Sequence, residues 1–416
     1  MTTTGLRAGG VPAATMTALV LAVFTVSLGY GIVLPLLPDL IQRLLADGVA
    51  PSQVSRHTGL LTGAYALALF LGAPAWGRLS DSHGRRNLLL IGLLGFGVAT
   101  LAFSLAGSLT TIYLQRFLSG LFAAAITPIA SATIGDLAST DEGRGRRLAF
   151  VSMASIAGFL LGPTLGVFTA RVGAEFLAVA TPAGSITIPL ASTAVLAALV
   201  SVPVALAVPN RHGLIPSANA SARATARTRS LVTTLLVLTF VVSAGIGVFE
   251  VGLALRGTQE LGLTPYQIAL MFTECSLIMF MMQAVVFSPV IRADHTRWLI
   301  APGLFVLVAG LFLVPWASDF WLMLAVIGGV AASAGIVSPI LTYWISAQAG
   351  NAQGWQLGRQ AAAASLGVTV GSAAGGLLFN VGVLPGAAFV LAAGLVAVGF
   401  LLSLGLPHLL VQGREP

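Results

Sequence analysis

Apolar residues fill this chain in long runs, and the polar residues fall between the runs in short clusters. Crossing about 30 Å of hydrocarbon takes about 20 apolar residues in a helix. Twelve such runs can be marked, at 16–40, 58–76, 87–106, 111–134, 148–170 and 186–208, then 231–255, 265–290, 298–316, 320–346, 358–379 and 383–406. Each should be helical, because a backbone in lipid must satisfy its hydrogen bonds within its own segment. The first run is too long and too interrupted by Pro35 and Pro38 for a signal peptide, so it reads as the first span.

Composition agrees with the pattern. The 416 residues are 57% hydrophobic and only 8% charged, too little polar surface for a soluble protein of this length. The net charge of +7 invites a nucleic-acid reading, but every basic residue is arginine and most stand in short segments between the runs. There they orient the chain. Arg78, Arg85, Arg86, Arg144, Arg146, Arg147 and the arginines from Arg211 to Arg229 fall on the side that holds both termini, whereas the other side has Arg43, Arg56, Arg171 and Arg256. The positive-inside bias therefore predicts both termini in the cytoplasm of a bacterial inner membrane. A single cysteine, Cys275, rules out a disulfide framework and a cysteine metal cluster, and no metal site or cofactor is expected.

The two halves repeat one another. Phe24, Val26, Ser27, Gly29 and Gly31 of the first span match Phe240, Val242, Ser243, Gly245 and Gly247 of the seventh at the same spacing. Gly158, Gly162 and Gly166 match Gly367, Gly371 and Gly375, and Thr127-Pro128-Ile129 matches Ser338-Pro339-Ile340. Three matches in order imply a duplicated six-helix unit, with a solute cavity near the midplane where the copies meet. The fold class predicted is an all-α membrane protein of twelve transmembrane helices in two pseudo-symmetric bundles. Residues 1–208 form the first, 209–230 an Ala-, Ser- and Arg-rich cytoplasmic linker, and 231–416 the second.

Three motifs carry a resemblance. Gly77-Arg78-Leu79-Ser80-Asp81-Ser82-His83-Gly84-Arg85-Arg86, between spans two and three, resembles the G-x-x-x-D-x-x-G-R-R loop of the major facilitator superfamily. The resemblance implies a latch in which Asp81 faces the start of span eleven and Arg85 reaches Asp136, with Gly77, Gly84 and Arg86 shaping the loop. The equivalent second-half segment, Arg292 to Arg297, lacks the glycines, so the latch should be one-sided. Gly158 to Gly166, with Gly162 and Pro163, resembles the antiporter motif G-x-x-x-G-P-x-x-G of proton-coupled drug exporters, although glycines four apart also serve close helix packing. Arg116 in span four resembles the superfamily's R-x-x-x-G element, where a membrane arginine is implicated in coupling. Together with Gly31 to Pro38, these motifs resemble the tetracycline and multidrug efflux branch over about the first 170 residues. Val26 stands where tetracycline exporters carry an acid, which moves any proton site to the second half.

Glu250 and Glu274 are the carboxylates within second-half spans and the candidate proton carriers. Protonation neutralises such a group and so links proton uptake to solute affinity. Cavity walls in the resembled fold come from spans one, four, seven and ten, which nominates Phe24, Tyr30, Phe249, Tyr343 and Trp344 beside Arg116 and Glu250. The function expected is a monomeric secondary transporter in the lipid bilayer, exchanging protons for a small organic solute with the proton gradient as energy source. A nutrient importer or facilitator is the alternative. A lipid-modifying enzyme is a third reading, opposed by the placement of all five histidines at or outside span ends.

Overall fold

The computed structural model describes residues 11–45, 50–137, 141–176, 184–210, 226–286, 293–348, 353–381 and 386–412. Every regular element among them is a helix: α1 (Ala13–Leu44), α2 (Pro51–His83), α3 (Arg85–Ser104), α4 (Leu109–Leu137), α5 (Asp141–Phe176), α6 (Gly184–Ala207), α7 (Ala226–Leu255), α8 (Pro265–Val286), α9 (Ile300–Leu313), α10 (Phe320–Ala347), α11 (Gln353–Leu378), α12 (Ala387–Ser403) and a short α13 (Leu406–Gln412). Eleven helical spans are long and apolar enough to cross a membrane, α9 counted with its flanking 3-10 turns from His295 to Trp316, and α12, with 17 residues, is the shorter twelfth. Large apolar side chains such as Leu206, Trp321 and Val98 are exposed on their outer faces, as a lipid-facing surface requires.

Several helices outrun the apolar stretches that announced them. α2 starts at Pro51, whose missing N–H is no loss in a first turn, and continues through Asp81 to His83. α5 begins at Asp141 among charged residues. Once nucleated, a helix propagates into water at little cost, so hydropathy marks the bilayer and not the helix end. Gly84 separates α2 from α3 with φ of +91°, a conformation that suits glycine, and Asp319 caps α10 by accepting from the N–H groups of Trp321 and Leu322, both at 2.9 Å.

Glycine seams hold the two halves together internally, and both are built alike. A methyl group added at Gly162 of α5 would lie 2.8 Å from Gly31 Cα of α1, and one at Gly31 would lie 2.8 Å from the Phe159 carbonyl oxygen. In the second half, a methyl on Gly247 of α7 would lie 2.8 Å from the Val368 carbonyl oxygen of α11. Gly158 abuts the carbonyl of Phe24 and Gly367 that of Phe240, so the residues matched in sequence are also matched in contact. Backbone meets backbone there, and only glycine leaves room.

Between the halves, α2 runs against α11 and α5 against α8. On the face away from the termini, Asn380 Nδ2 donates to Ser55 Oγ at 2.6 Å and to Gln259 Oε1 at 3.0 Å, and Gln259 Nε2 donates to the Pro51 carbonyl at 3.3 Å. On the same side Gly59 meets Gly376 of α11, and Arg171 of α5 lies over the Tyr266 ring of α8 at 5.3 Å. Deeper in the membrane Thr164 and Thr273 share a 2.7 Å hydrogen bond. These contacts close the molecule on the side opposite the termini.

Arg256 requires a correction. Counted from sequence as a loop arginine, it is only 8% exposed, in a π-helical turn (Arg256–Glu260) that continues α7. It pairs with Glu260 and donates to the carbonyls of Pro315 and Ala317 at 2.9 and 2.7 Å. It ties the end of α7 to the end of α9 instead of serving as a topogenic charge.

Candidate functional site

Near the centre, residues from both halves converge. Tyr30 of α1 donates its hydroxyl to Glu250 Oε2 of α7 at 2.9 Å. The Tyr30 ring stacks on Tyr65 of α2, centroids 5.0 Å apart, and on Phe159 of α5 at 5.7 Å. Behind it lies Arg116 of α4, 3% exposed, its guanidinium carbon 4.4 Å from the Tyr65 centroid and 5.4 Å from that of Tyr30. A cation over desolvated aromatic faces gains about 2 kcal/mol. Tyr30 therefore stands between the buried cation of the first half and the carboxylate of the second.

Sequence reasoning placed Tyr30, Arg116 and Glu250 in one set of cavity candidates, and the structure brings these three together. It missed Tyr65, whose signal was a lone tyrosine in the apolar stretch of α2, and Phe159, noticed only as a filler position among the antiporter-motif glycines. Glu274 of α8 faces α10, its Oε1 3.9 Å from where a methyl group on Gly328 would sit. Its Oε2 is buried without a hydrogen-bond partner among the described residues.

The aromatic nominations divide. Phe24 stays partly buried along the α1–α5 seam, and Tyr343 is partly buried with its ring edge-on to Trp344 at 5.4 Å. Phe249 and Trp344 are enclosed in the second-half core, at 2% and 0% exposure, where helix packing accounts for their burial. The Trp344 indole N–H donates to Thr296 at 3.2 Å.

The loop motif forms an ion pair in the first half. Arg85 Nε donates to Asp136 Oδ2 at 3.0 Å and Nη1 donates to Ser80 Oγ at 2.7 Å, linking the start of α3 to the end of α4. Arg86 donates to the Ala205 carbonyl of α6 at 3.3 Å. The side chain of Asp81 lies outside the described residues. Gly77 has open space around its Cβ position, so close approach does not explain it here. In the second half, Thr296 precedes Arg297 as Arg85 precedes Arg86, and it meets the Trp344 indole where the first half has an ion pair.

The antiporter-motif glycines, Gly158, Gly162 and Gly166, all face α1, and Gly367, Gly371 and Gly375 face α7 in the same way. What the second half lacks is Pro163, replaced in register by Ser372.

Twelve apolar helices in two like-built halves, meeting at a buried charged centre, define a multi-pass membrane transporter. The chain belongs to the Major Facilitator Superfamily, whose model matches residues 19–350. It is 28% identical over 370 residues to Multidrug resistance protein 2 of Bacillus subtilis (strain 168), covering 87% of this chain and 88% of that one. To Multidrug resistance protein 1 of the same organism it is 28% identical over 378 residues, covering 89% and 90%. To the quinolone resistance protein NorA of Staphylococcus aureus (strain COL) it is 25% identical over 363 residues, covering 86% and 88%. The human organic anion transporter MFSD10 (TETRAN) shares the fold, with a TM-score of 0.67 at 19% identity over 94% of this chain and all of that one. This is a family of transporters, and the lipid-modifying enzyme is set aside.

Proposed function

We propose that the protein is a proton-coupled exporter of aromatic, amine-bearing compounds, working by alternating access in a bacterial cytoplasmic membrane. The observation that carries this reading is the Tyr30–Glu250 hydrogen bond, which joins a second-half carboxylate to the first half at the centre of the molecule. Ionised Glu250 attracts a cationic amine; protonated Glu250 does not, so proton and solute compete for one group. That relatives are multidrug and quinolone resistance proteins supports a drug-like organic solute.

In this scheme the two six-helix units, 1–208 and 231–416, rock about the centre as a monomer, with the 209–230 linker and both termini cytoplasmic, as the arginine asymmetry suggests. The clasp of Ser55, Gln259 and Asn380 is then the outer gate, closed, and the Arg85–Asp136 pair steadies the inner end of the first unit, with Asp81 completing the latch. Glu274 is the second candidate carrier.

One observation favours the importer or facilitator instead. The antiporter-motif glycines have packing counterparts in the second half, so the glycines alone give no direction to transport. Inverted vesicles with an acidic lumen separate the two. The exporter releases lumenal protons when an aromatic amine is added, and Glu250→Gln does not; solute uptake indifferent to the gradient in both proteins makes it a facilitator.

A further inference from the structure

Among the described residues, none supplies Arg116 with an anion. Its Nε and Nη2 are buried without a hydrogen-bond partner among the described residues, and what lies against the guanidinium is the ring faces of Tyr65 and Tyr30. A ring face attracts the charge but offers no lone pair to the N–H groups. A buried cation left this way is unfavourable, and the donor fork of arginine matches a carboxylate with two parallel hydrogen bonds. Glu250 contributes its Oε2 to Tyr30. Exposure also orders the cluster: Tyr30, Phe159 and Glu250 are partly exposed, while Arg116 and Tyr65 are buried behind them.

Resting on the reading of Glu250 above, we propose that Arg116 is a subsite for the carboxylate of the solute, which makes an aromatic zwitterion the favoured class. The amine takes the place of the Tyr30 hydroxyl on Glu250, the aromatic body lies along Tyr30 and Phe159, and the carboxylate takes the unpartnered Nε–Nη2 edge of Arg116. Releasing Tyr30 from Glu250 lets its ring move off the guanidinium, so the amine opens the way for the carboxylate. A zwitterion compensates both buried charges at once. A simple cation compensates only Glu250 and leaves Arg116 as it is.

Binding of 6-(aminomethyl)-2-naphthoic acid and of its methyl ester to the purified full-length protein, by calorimetry at neutral pH, tests this. The two differ in the carboxylate alone. Wild type should bind the acid at least about tenfold more tightly than the ester, the range of a charge-assisted hydrogen-bonded pair. Arg116→Gln should bring that ratio to about one, and Arg116→Lys should retain part of it. An ester bound as tightly as the acid by wild type overturns the proposal without needing any variant, and so does a preference that survives in Arg116→Gln. Failure of the underlying reading looks different, because the ester then releases no protons through Glu250; if neither compound binds, both fall.

Discussion

The two halves share a scaffold and divide the chemistry. α1 against α5 and α7 against α11 use the same glycine seam, residue for residue, yet the first half buries a cation, Arg116, among aromatic rings, and the second holds the partly exposed carboxylates Glu250 and Glu274. At the ends facing the termini, the first half has the Arg85–Asp136 ion pair, and the second has an indole hydrogen-bonded to Thr296. What the halves hold in common is what packing demands. What each holds alone is where function is to be sought, and the Tyr30–Glu250 bond is where the two meet.

The largest effect should come from the shared feature, and it should be equal in the halves. Gly162→Val and Gly371→Val each drive side-chain atoms into the backbone of the facing helix, at a cost of about 3 kcal/mol or more. Neither should give monodisperse protein on gel filtration; tolerance of one and not the other would break the equivalence of the seams. Asp136→Asn comes next. It removes the carboxylate charge that pairs with Nε of the 6%-exposed Arg85, about 2 kcal/mol once the partial exposure of Asp136 is allowed for. Thermal unfolding in detergent should fall measurably, and more than for Thr296→Ala, which removes the neutral hydrogen bond to the Trp344 indole, about 1 kcal/mol. Tyr30→Phe keeps the ring over Arg116 but removes the donor to Glu250, so amine binding should tighten, the hydroxyl no longer competing, while stability falls by about 1 kcal/mol. As pH falls, amine affinity should weaken in wild type and in Tyr30→Phe, because protonation neutralises Glu250, and should be flat in Glu250→Gln. Smallest, Asn380→Ala loosens the far-side clasp by about 1 kcal/mol and should lower the unfolding temperature in detergent only slightly.

The duplication and the twelve spans were legible because bilayer thickness and backbone hydrogen bonding impose them on composition and length. Helix ends were not: α2 and α5 continue well past their apolar windows. Arg256 misled because a basic residue near a span end looks like a loop charge, while its burial depends on carbonyls at Pro315 and Ala317, far along the chain. The site was half legible. Charges inside apolar runs stand out, which is why Arg116 and Glu250 were found, but Tyr65 and Phe159 look like ordinary apolar-run residues until folding stacks them on Tyr30. Trp344 shows the converse, an aromatic in an expected cavity-lining span that folding places in the second-half core with its indole on Thr296.

The central claim is that proton and solute compete for Glu250 at the meeting point of the halves. Adding tetraphenylphosphonium, an aromatic cation, to purified protein in weakly buffered detergent at mildly acidic pH, with a pH indicator present, tests it most directly. Wild type and Glu274→Gln should release protons on binding, and Glu250→Gln should release none. Release from Glu250→Gln as large as from wild type would contradict the account.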